Sequence, residues 1–262
     1  MSTAVIKLGG NEADDREWLA SLAAAVARRA GAAVLVHGGG KEVTALQRLL
    51  GVEPEWRDGL RVTSDDGMRA VAMVLSGLVN KRIASALLSA GVDAVGVSGE
   101  DGALIEADVA RGGAMGRIGE VRRVRAELLH RWIRQGLVPV LSPVSRGPDG
   151  RALNVNADDA AAAVAAAMGA GELLFVSNVP GVLREGSVLP GIGADEVEAL
   201  IGDGTAAGGM APKLRAAARA AEAGVAAVRI GGVEMLGDAA AGTRVHAPRR
   251  AWTGAAPEGA WG

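Results

Sequence analysis

Three charged residues, far apart in the chain, are of the types that manage anionic ligands. Lys7 lies inside the apolar run at 4–8, Asp158 opens the alanine-rich run that continues to 168, and Lys213 follows Met210-Ala211-Pro212 at a helix start. A lysine in a central strand must reach a partner, because an unpaired ammonium is costly to bury. The alternative is an edge-strand lysine snorkelling to water. Lys213 opposes the macrodipole at its helix start, which an anionic partner would explain; a surface lysine in the first turns is the alternative. Asp158 belongs to Leu153-Asn154-Val155-Asn156-Ala157-Asp158-Asp159. Asn156 and Asp158 both suit a helix N-cap, and Asn154 and Asp158, four apart, can face one site. A carboxylate there does not bind phosphate, but it can hold lysines that do. The competing reading is a capped helix with spare polar residues.

Glycine turns follow the first two strand-like runs: Gly9-Gly10, and Gly38-Gly39-Gly40 after His37. In open α/β sheets, ligands collect at the carboxyl ends of strands. Successive glycines allow close backbone approach and a nest of N–H groups for an anion. Neither the G-x-x-x-x-G-K-[ST] nor the G-x-G-x-x-G pattern is present. His37 reads as a structural hydrogen-bonding residue, since no other histidine has metal-site spacing with it. Arg61, after Asp58-Gly59-Leu60, is a candidate carboxylate clamp because a guanidinium offers paired donors in a plane; an ordinary solvated arginine is the alternative.

The elements that must position these residues alternate between buried strands and amphipathic helices. Strands are expected at 4–8, 32–36, 94–97, 137–141, 172–177, 226–230 and 243–247, and helices at 14–29, from about 42, 64–90, 128–135, through 160–168 after a cap at 156 or 158, 194–201 and 210–223. Residues 58–63 read as a loop. Residues 103–109 and 117–124 read as a hairpin around Gly112-Gly113, a flap or lid. The pattern implies an α/β, three-layer αβα sandwich with a mainly parallel central sheet. A single domain at 1–248 is expected, with an N-terminal lobe at about 1–150 and a C-terminal lobe at about 151–248. Residues 249–262 lose all periodicity and read as a loose tail.

Composition narrows the function classes. Half of the 262 residues are apolar, enough for a substantial core, and the chain has no cysteine, which rules out disulfides and thiolate metal sites. The net charge of −2 argues against a nucleic-acid footprint. No apolar stretch reads as a membrane span, and the first strand begins too early for a signal peptide, so a cytoplasmic location is expected.

Six stretches, in this order, resemble the amino-acid kinase family, and within it the branch acting on N-acetylglutamate. They are V-I-K-L-G-G at 5–10, V-H-G-G-G at 36–40, D-G-L-R-V-T at 58–63, L-N-V-N-A-D at 153–158, S-N-V-P-G-V-L at 177–183 and G-G-M-x-x-K at 208–213. The resemblance implies phosphoryl transfer from ATP, with Mg²⁺, to the side-chain carboxylate of N-acetyl-L-glutamate in arginine biosynthesis. It assigns Lys7 to the nucleophile side of the transferred group, Lys213 to the leaving-group side, and Asp158 to orienting both. Gly9, Gly10, Gly39 and Gly40 would give backbone N–H donors, Gly9 towards the nucleotide and the other three towards the substrate. Arg61 would hold the substrate α-carboxylate and Asn154 its other polar groups. Ser177, Asn178, Gly181, Gly209 and Met210 would contact the nucleotide. Asn178 stands where the family usually has Asp, which resembles kinases acting on aminoadipate or glutamate attached to a small acidic carrier protein. Arg111, Arg117, Arg122, Arg123 and Arg125 would be the basic rim for such a carrier, or a solvated face. A non-catalytic amino-acid-sensing domain is a third reading. Arginine-inhibited hexameric members carry an additional N-terminal helix, so a homodimer without that feedback is expected.

Overall fold

Strand and helix alternate from the first described residues. The structure, a computed structural model, describes residues 3–10, 12–29, 31–57 and 60–248. The chain runs β1 (Ala4–Leu8), α1 (Arg16–Arg28), β2 (Ala33–His37), α2 (Gly40–Leu49), β3 (Glu55–Arg57) and β4 (Leu60–Val62). A continuous helix follows, made of α3 (Asp65–Ala72), a π-helical stretch (Met73–Val79) and α4 (Asn80–Ser89). Next come β5 (Ala94–Ser98), β6 (Ile105–Val109), β7 (Ile118–Val124), α5 (Ala126–Arg134), β8 (Val138–Ser142), β9 (Val144–Arg146), β10 (Ala152–Val155), α6 (Ala157–Met168) and β11 (Glu172–Val176). The last part holds β12 (Leu183–Arg184), β13 (Ser187–Val188), β14 (Gly191–Gly193), α7 (Val197–Gly202), α8 (Met210–Glu222), β15 (Ala227–Gly231) and β16 (Thr243–His246).

Eight strands form one sheet in the order β14-β16-β15-β11-β1-β2-β8-β5, parallel except where β15 meets β16. β1 is central and buried along its whole length, which explains why all of its residues but Lys7 are apolar. Its alternate residues face opposite layers. Ile6 and Leu8 join the core under α1 and the long helix, whereas Val5 joins the core beneath α6 and α8. Lys7, two residues after Val5, therefore points towards α6 and α8.

Three sequence expectations change. Residues 60–62 are not loop but the second strand of the β3–β4 hairpin. Asp58 and Gly59, between those strands, lie outside the described residues, as does the tail expected at 249–262. The β6–β7 hairpin is not a free flap, because β7 pairs with β10 and β6 with β9, closing a small four-stranded barrel. Finally, Asp65–Ser89 is long and apolar enough to cross a membrane by length and composition, with 44% of its most apolar window buried. Its inner face packs into the core beside β1 and β8, and it carries Asn80, Lys81 and Arg82, so it serves here as a core helix.

Candidate active site

The alanine-rich face of α6 lets the helix approach the sheet closely. Asn156 caps it, accepting from the N–H groups of Asp158 at 2.8 Å and Asp159 at 3.3 Å. Asp158 consequently sits in the first turn with its carboxylate against Lys7 of the central strand β1. Lys7 Nζ meets its Oδ1 at 2.7 Å, and Lys213 Nζ meets the same oxygen at 3.4 Å. Lys213 comes from the first turns of α8, above the Phe175 ring at 5.7 Å from its centroid. All three groups are buried, at 6–8% exposure.

Two ammonium groups sharing one carboxylate carry a net positive charge. Burial alone would raise the Asp158 pKa, but Lys7 and Lys213 outweigh it and hold the carboxyl below its ordinary value. Burial, reinforced by repulsion from Lys7, pushes Lys213 down to about 8 despite its pairing with Asp158. The neighbouring Asp159 is raised by burial, even though Arg219 bonds to it. The cluster is a site for an anion, held at the start of a helix, where backbone N–H groups favour negative charge.

The two glycine turns face each other beside this cluster. A Cβ on Gly10 would fall 2.6 Å from the backbone nitrogen of Gly39, and one on Gly39 would fall 2.7 Å from Leu75 Cδ2. Close approach to backbone, not torsion, therefore demands glycine at Gly10, whereas at Gly39 the end of the Leu75 side chain would have to give way. His37 fixes the second turn from below. Its ring is fully buried, and burial lowers its pKa to about 4, so the imidazole is neutral. Nδ1–H donates to Gly38 O at 2.9 Å, and Nε2 accepts from Asn80 Nδ2–H at 3.1 Å. The Asn80 amide also donates to Val140 O at 2.8 Å. His37 is structural, as its sequence context predicts.

A cleft of ≈490 Å³ contains Lys7, Asp158, Lys213, Gly9, Gly10, Gly39, Gly40, Arg61, Asn154, Ser177, Asn178, Gly209 and Met210. Thirteen of the fourteen expected site residues thus share one cavity. Gly181 does not line it: the backbone there packs under Val188 and Thr243, where a Cβ would come within 2.6 Å and 2.7 Å of their side chains. Arg61 is not the solvated arginine of the alternative reading. It is 6% exposed, lies 4.5 Å from the Trp56 ring centroid, and donates to Gln47, to Gly40 O at 2.9 Å and to Thr44 Oγ1 at 2.7 Å. Among the described residues three of the guanidinium's five N–H groups are used. Asn154 donates to Thr63 Oγ1 at 3.1 Å, and Thr63 donates to Arg61 O at 3.0 Å, linking the two candidates. Sequence reasoning missed Glu12 and Trp56, which also line the cleft. A second hollow of ≈710 Å³, beside β14 and β16, has no lysine or arginine among its described lining residues and offers an anion no comparable partner.

Comparison with known proteins decides the family. The profile of the amino acid kinase family matches residues 2–232. The chain belongs to this family. An acetylglutamate kinase of Roseiflexus sp. (strain RS-1) is 49% identical over 89% of this chain and 90% of its own length. An acetylglutamate kinase of Geobacillus stearothermophilus is 45% identical over 82% of this chain and 84% of its own. A solved Streptococcus mutans structure matches the fold with a TM-score of 0.82 and 31% identity, over 93% of this chain and 98% of the other.

Proposed function

We propose that this amino acid kinase transfers the γ-phosphoryl group of ATP to the side-chain carboxylate of N-acetyl-L-glutamate, giving ADP and the acyl phosphate, a step of arginine biosynthesis. Relatives that bear the name acetylglutamate kinase, at 43–49% identity over most of the chain, support it. The observation that carries the mechanism is one aspartate oxygen drawing together lysines from β1 and α8 inside the cleft.

The chemistry makes few demands on the protein. A carboxylate with a pKa near ~4.3 is already ionised at neutral pH, so no general base is needed. A carboxylate oxygen forms a bond to the γ-phosphorus as the bond to the β,γ-bridging oxygen breaks, and that electron pair leaves with ADP. The obstacle is bringing two anions together and stabilising charge spread over the phosphoryl oxygens, which calls for positioning and cations. Lys7 serves the nucleophile side, Lys213 the leaving-group side, and Asp158 orients both. Gly10, Gly39 and Gly40 aim N–H donors at the acceptor substrate, which Arg61 and Asn154 hold by its polar ends. Gly9, Ser177, Asn178, Gly209 and Met210 line the nucleotide side. Mg²⁺ supplies charge neutralisation on the triphosphate. Among the described residues no group of three His, Cys, Asp or Glu could form a metal cage.

The lobes divide at about residue 150, the N-terminal one taking the acceptor and the C-terminal one the nucleotide. A homodimer fits the half-buried edge strand β5 and the neighbouring helix face, where Met73, Leu78 and Leu88 are 53–59% exposed. A cytoplasmic site fits a cysteine-free chain that uses small-molecule substrates. The carrier-protein reading rests on Asn178 and gains nothing from the arginines. Arg117 pairs with Asp149, Arg122 and Arg123 with Glu106, and Arg125 with Glu127, so these four do not form an uncompensated basic rim. A sensing domain has no use for a buried lysine pair.

A coupled assay of ADP release tests the proposal, with N-acetylglutamate set against free and carrier-bound aminoadipate. Turnover is expected with N-acetylglutamate alone. Lys213→Ala should lower kcat by about 10²- to 10³-fold while leaving acetylglutamate binding within a few-fold of wild type. An equal loss of both would show that Lys213 is not specific to the transition state.

A further inference from the structure

Glu12 has no role in the proposed transfer, and the Ser177 hydroxyl has none beyond lining the nucleotide side. Glu12 is 8% exposed and Ser177 is 9% exposed, and both line the cleft. Glu12 Oε2 and Ser177 Oγ meet no hydrogen-bond partner among the described residues. Gly9 connects them, since Glu12 Oε2 and Val176 O are both among the nearest atoms to where a Gly9 Cβ would stand. Glu12 folds back over Gly9, with Oε2 only 2.2 Å from where a Gly9 Cβ would stand, so the missing side chain of Gly9 makes room for this carboxylate. Gly9 N–H in turn donates to Val176 O at 2.9 Å, and Ser177 is the next residue.

A buried carboxylate oxygen without a donor is unfavourable. Here it is doubly so, because the same wall is the one assigned to an anionic triphosphate. A cation between carboxylate and phosphate removes both penalties. A hydroxyl beside a carboxylate also suits a hard cation, which binds oxygen and takes one or two carboxylates plus phosphate oxygens. We propose that Glu12, with the Ser177 hydroxyl, is the protein's tether for the Mg²⁺ that accompanies the nucleotide. The inference rests on the kinase reading. Glu12 is a positioning residue in it: one carboxylate and one hydroxyl cannot hold Mg²⁺ alone, so metal binding depends on nucleotide. Without metal, the same carboxylate repels the phosphates.

Those two statements predict opposite effects of one substitution. ADP binding is measured by calorimetry for wild type, Glu12→Gln and Ser177→Ala, in EDTA and in excess MgCl₂, and Mn²⁺ binding with ADP is followed by electron paramagnetic resonance. Glu12→Gln preserves shape and breaks no side-chain hydrogen bond among the described residues, and thermal melting checks its fold. In EDTA it should bind ADP as tightly as wild type or several-fold more tightly. The tightening produced by Mg²⁺ should shrink by about 10- to 100-fold, with Ser177→Ala a weaker loss in the same direction. Unchanged Mg²⁺ tightening in Glu12→Gln overturns the inference, and so does weaker ADP binding in EDTA, which would make Glu12 a direct acceptor for a nucleotide hydroxyl. Failure of wild type to bind ADP under either condition overturns the kinase reading itself, and is distinct from both.

Discussion

Replacing Asp158 by asparagine removes one charge and keeps the shape. Two ammonium groups that now share its Oδ1, at 2.7 Å and 3.4 Å, would then face a neutral amide. Taking an effective dielectric near 20, a unit charge pair at the 3.4 Å separation of Lys213 is worth on the order of 5 kcal/mol. If a third of that survives relaxation, the Lys213 pKa falls by about one further unit, from its wild-type value of about 8. The pH dependence of kcat/KM reads this directly, because it reports groups of the free enzyme. Wild-type activity should fall as the pH rises past about 8. In Asp158→Asn that alkaline limb should move down by about a unit, on top of an overall loss of about 10²- to 10³-fold. Stability runs the other way. The Lys213 pKa is lower folded than unfolded, so between about 8 and 10.5 the unfolded chain binds more protons and wild-type stability rises with pH. That contribution is complete above 10.5 and is lost as the pH falls through about 8. An alkaline limb at the same pH in both proteins would refute the reasoning, since it would mean that Asp158 does not set the charge of Lys213.

Three further outcomes follow from the same geometry. The His37 pKa is about 4 folded and 6.5 unfolded, so its contribution is present above pH 6.5 and is lost as the pH falls through about 4; it amounts to about 3 kcal/mol. His37→Asn should melt at a lower temperature at pH 7 but show a flatter decline between pH 6.5 and 4; an unchanged slope would contradict its buried neutral state. Gly10→Ala drives a Cβ to 2.6 Å from the Gly39 backbone and should lower kcat/KM at least tenfold, whereas Gly77→Ala, which meets open space, should leave kinetics unchanged. Glu172→Gln, which strips the carboxylate from Arg29 and Arg229, should lower denaturant-measured stability by about 3 kcal/mol without altering KM.

The parts of this fold legible in the sequence were those in which one short segment sets its own environment. β1 and β2 are apolar runs, save for Lys7 and His37, each followed by a glycine turn, and both lie in the buried centre of the sheet with those turns face to face. Lys7 was conspicuous because nothing else in its strand is charged. The closed barrel was invisible because its closure pairs β7 with β10 and β6 with β9, and no local pattern records those registers. β3, a three-residue strand of Glu, Trp and Arg, has no apolar alternation to betray it. The π-helical stretch has no signature beyond its Ser76-Gly77 pair. Gly181 shares a motif with Ser177 and Asn178, but four residues are enough for the chain to leave the cleft and pack beneath Thr243. Glu12 sits in Asn-Glu-Ala-Asp-Asp, which reads as a solvated acidic approach to α1. Its burial depends on the absence of a side chain three residues earlier.

The unequal lysine distances give the site its direction. Lys7, at 2.7 Å, satisfies most of what one carboxylate oxygen can offer, and Lys213, at 3.4 Å, takes the remainder above an aromatic face. Burial prevents water from neutralising that deficit. An incoming phosphate therefore gains most at Lys213, the end assigned to the leaving group, while Lys7 stays anchored on β1. In the proposed transfer, negative charge that moves towards the bridging oxygen moves towards Lys213, the ammonium farther from Asp158. The attraction is then stronger in the transition state than in the ground state, which is the condition for acceleration as opposed to mere binding.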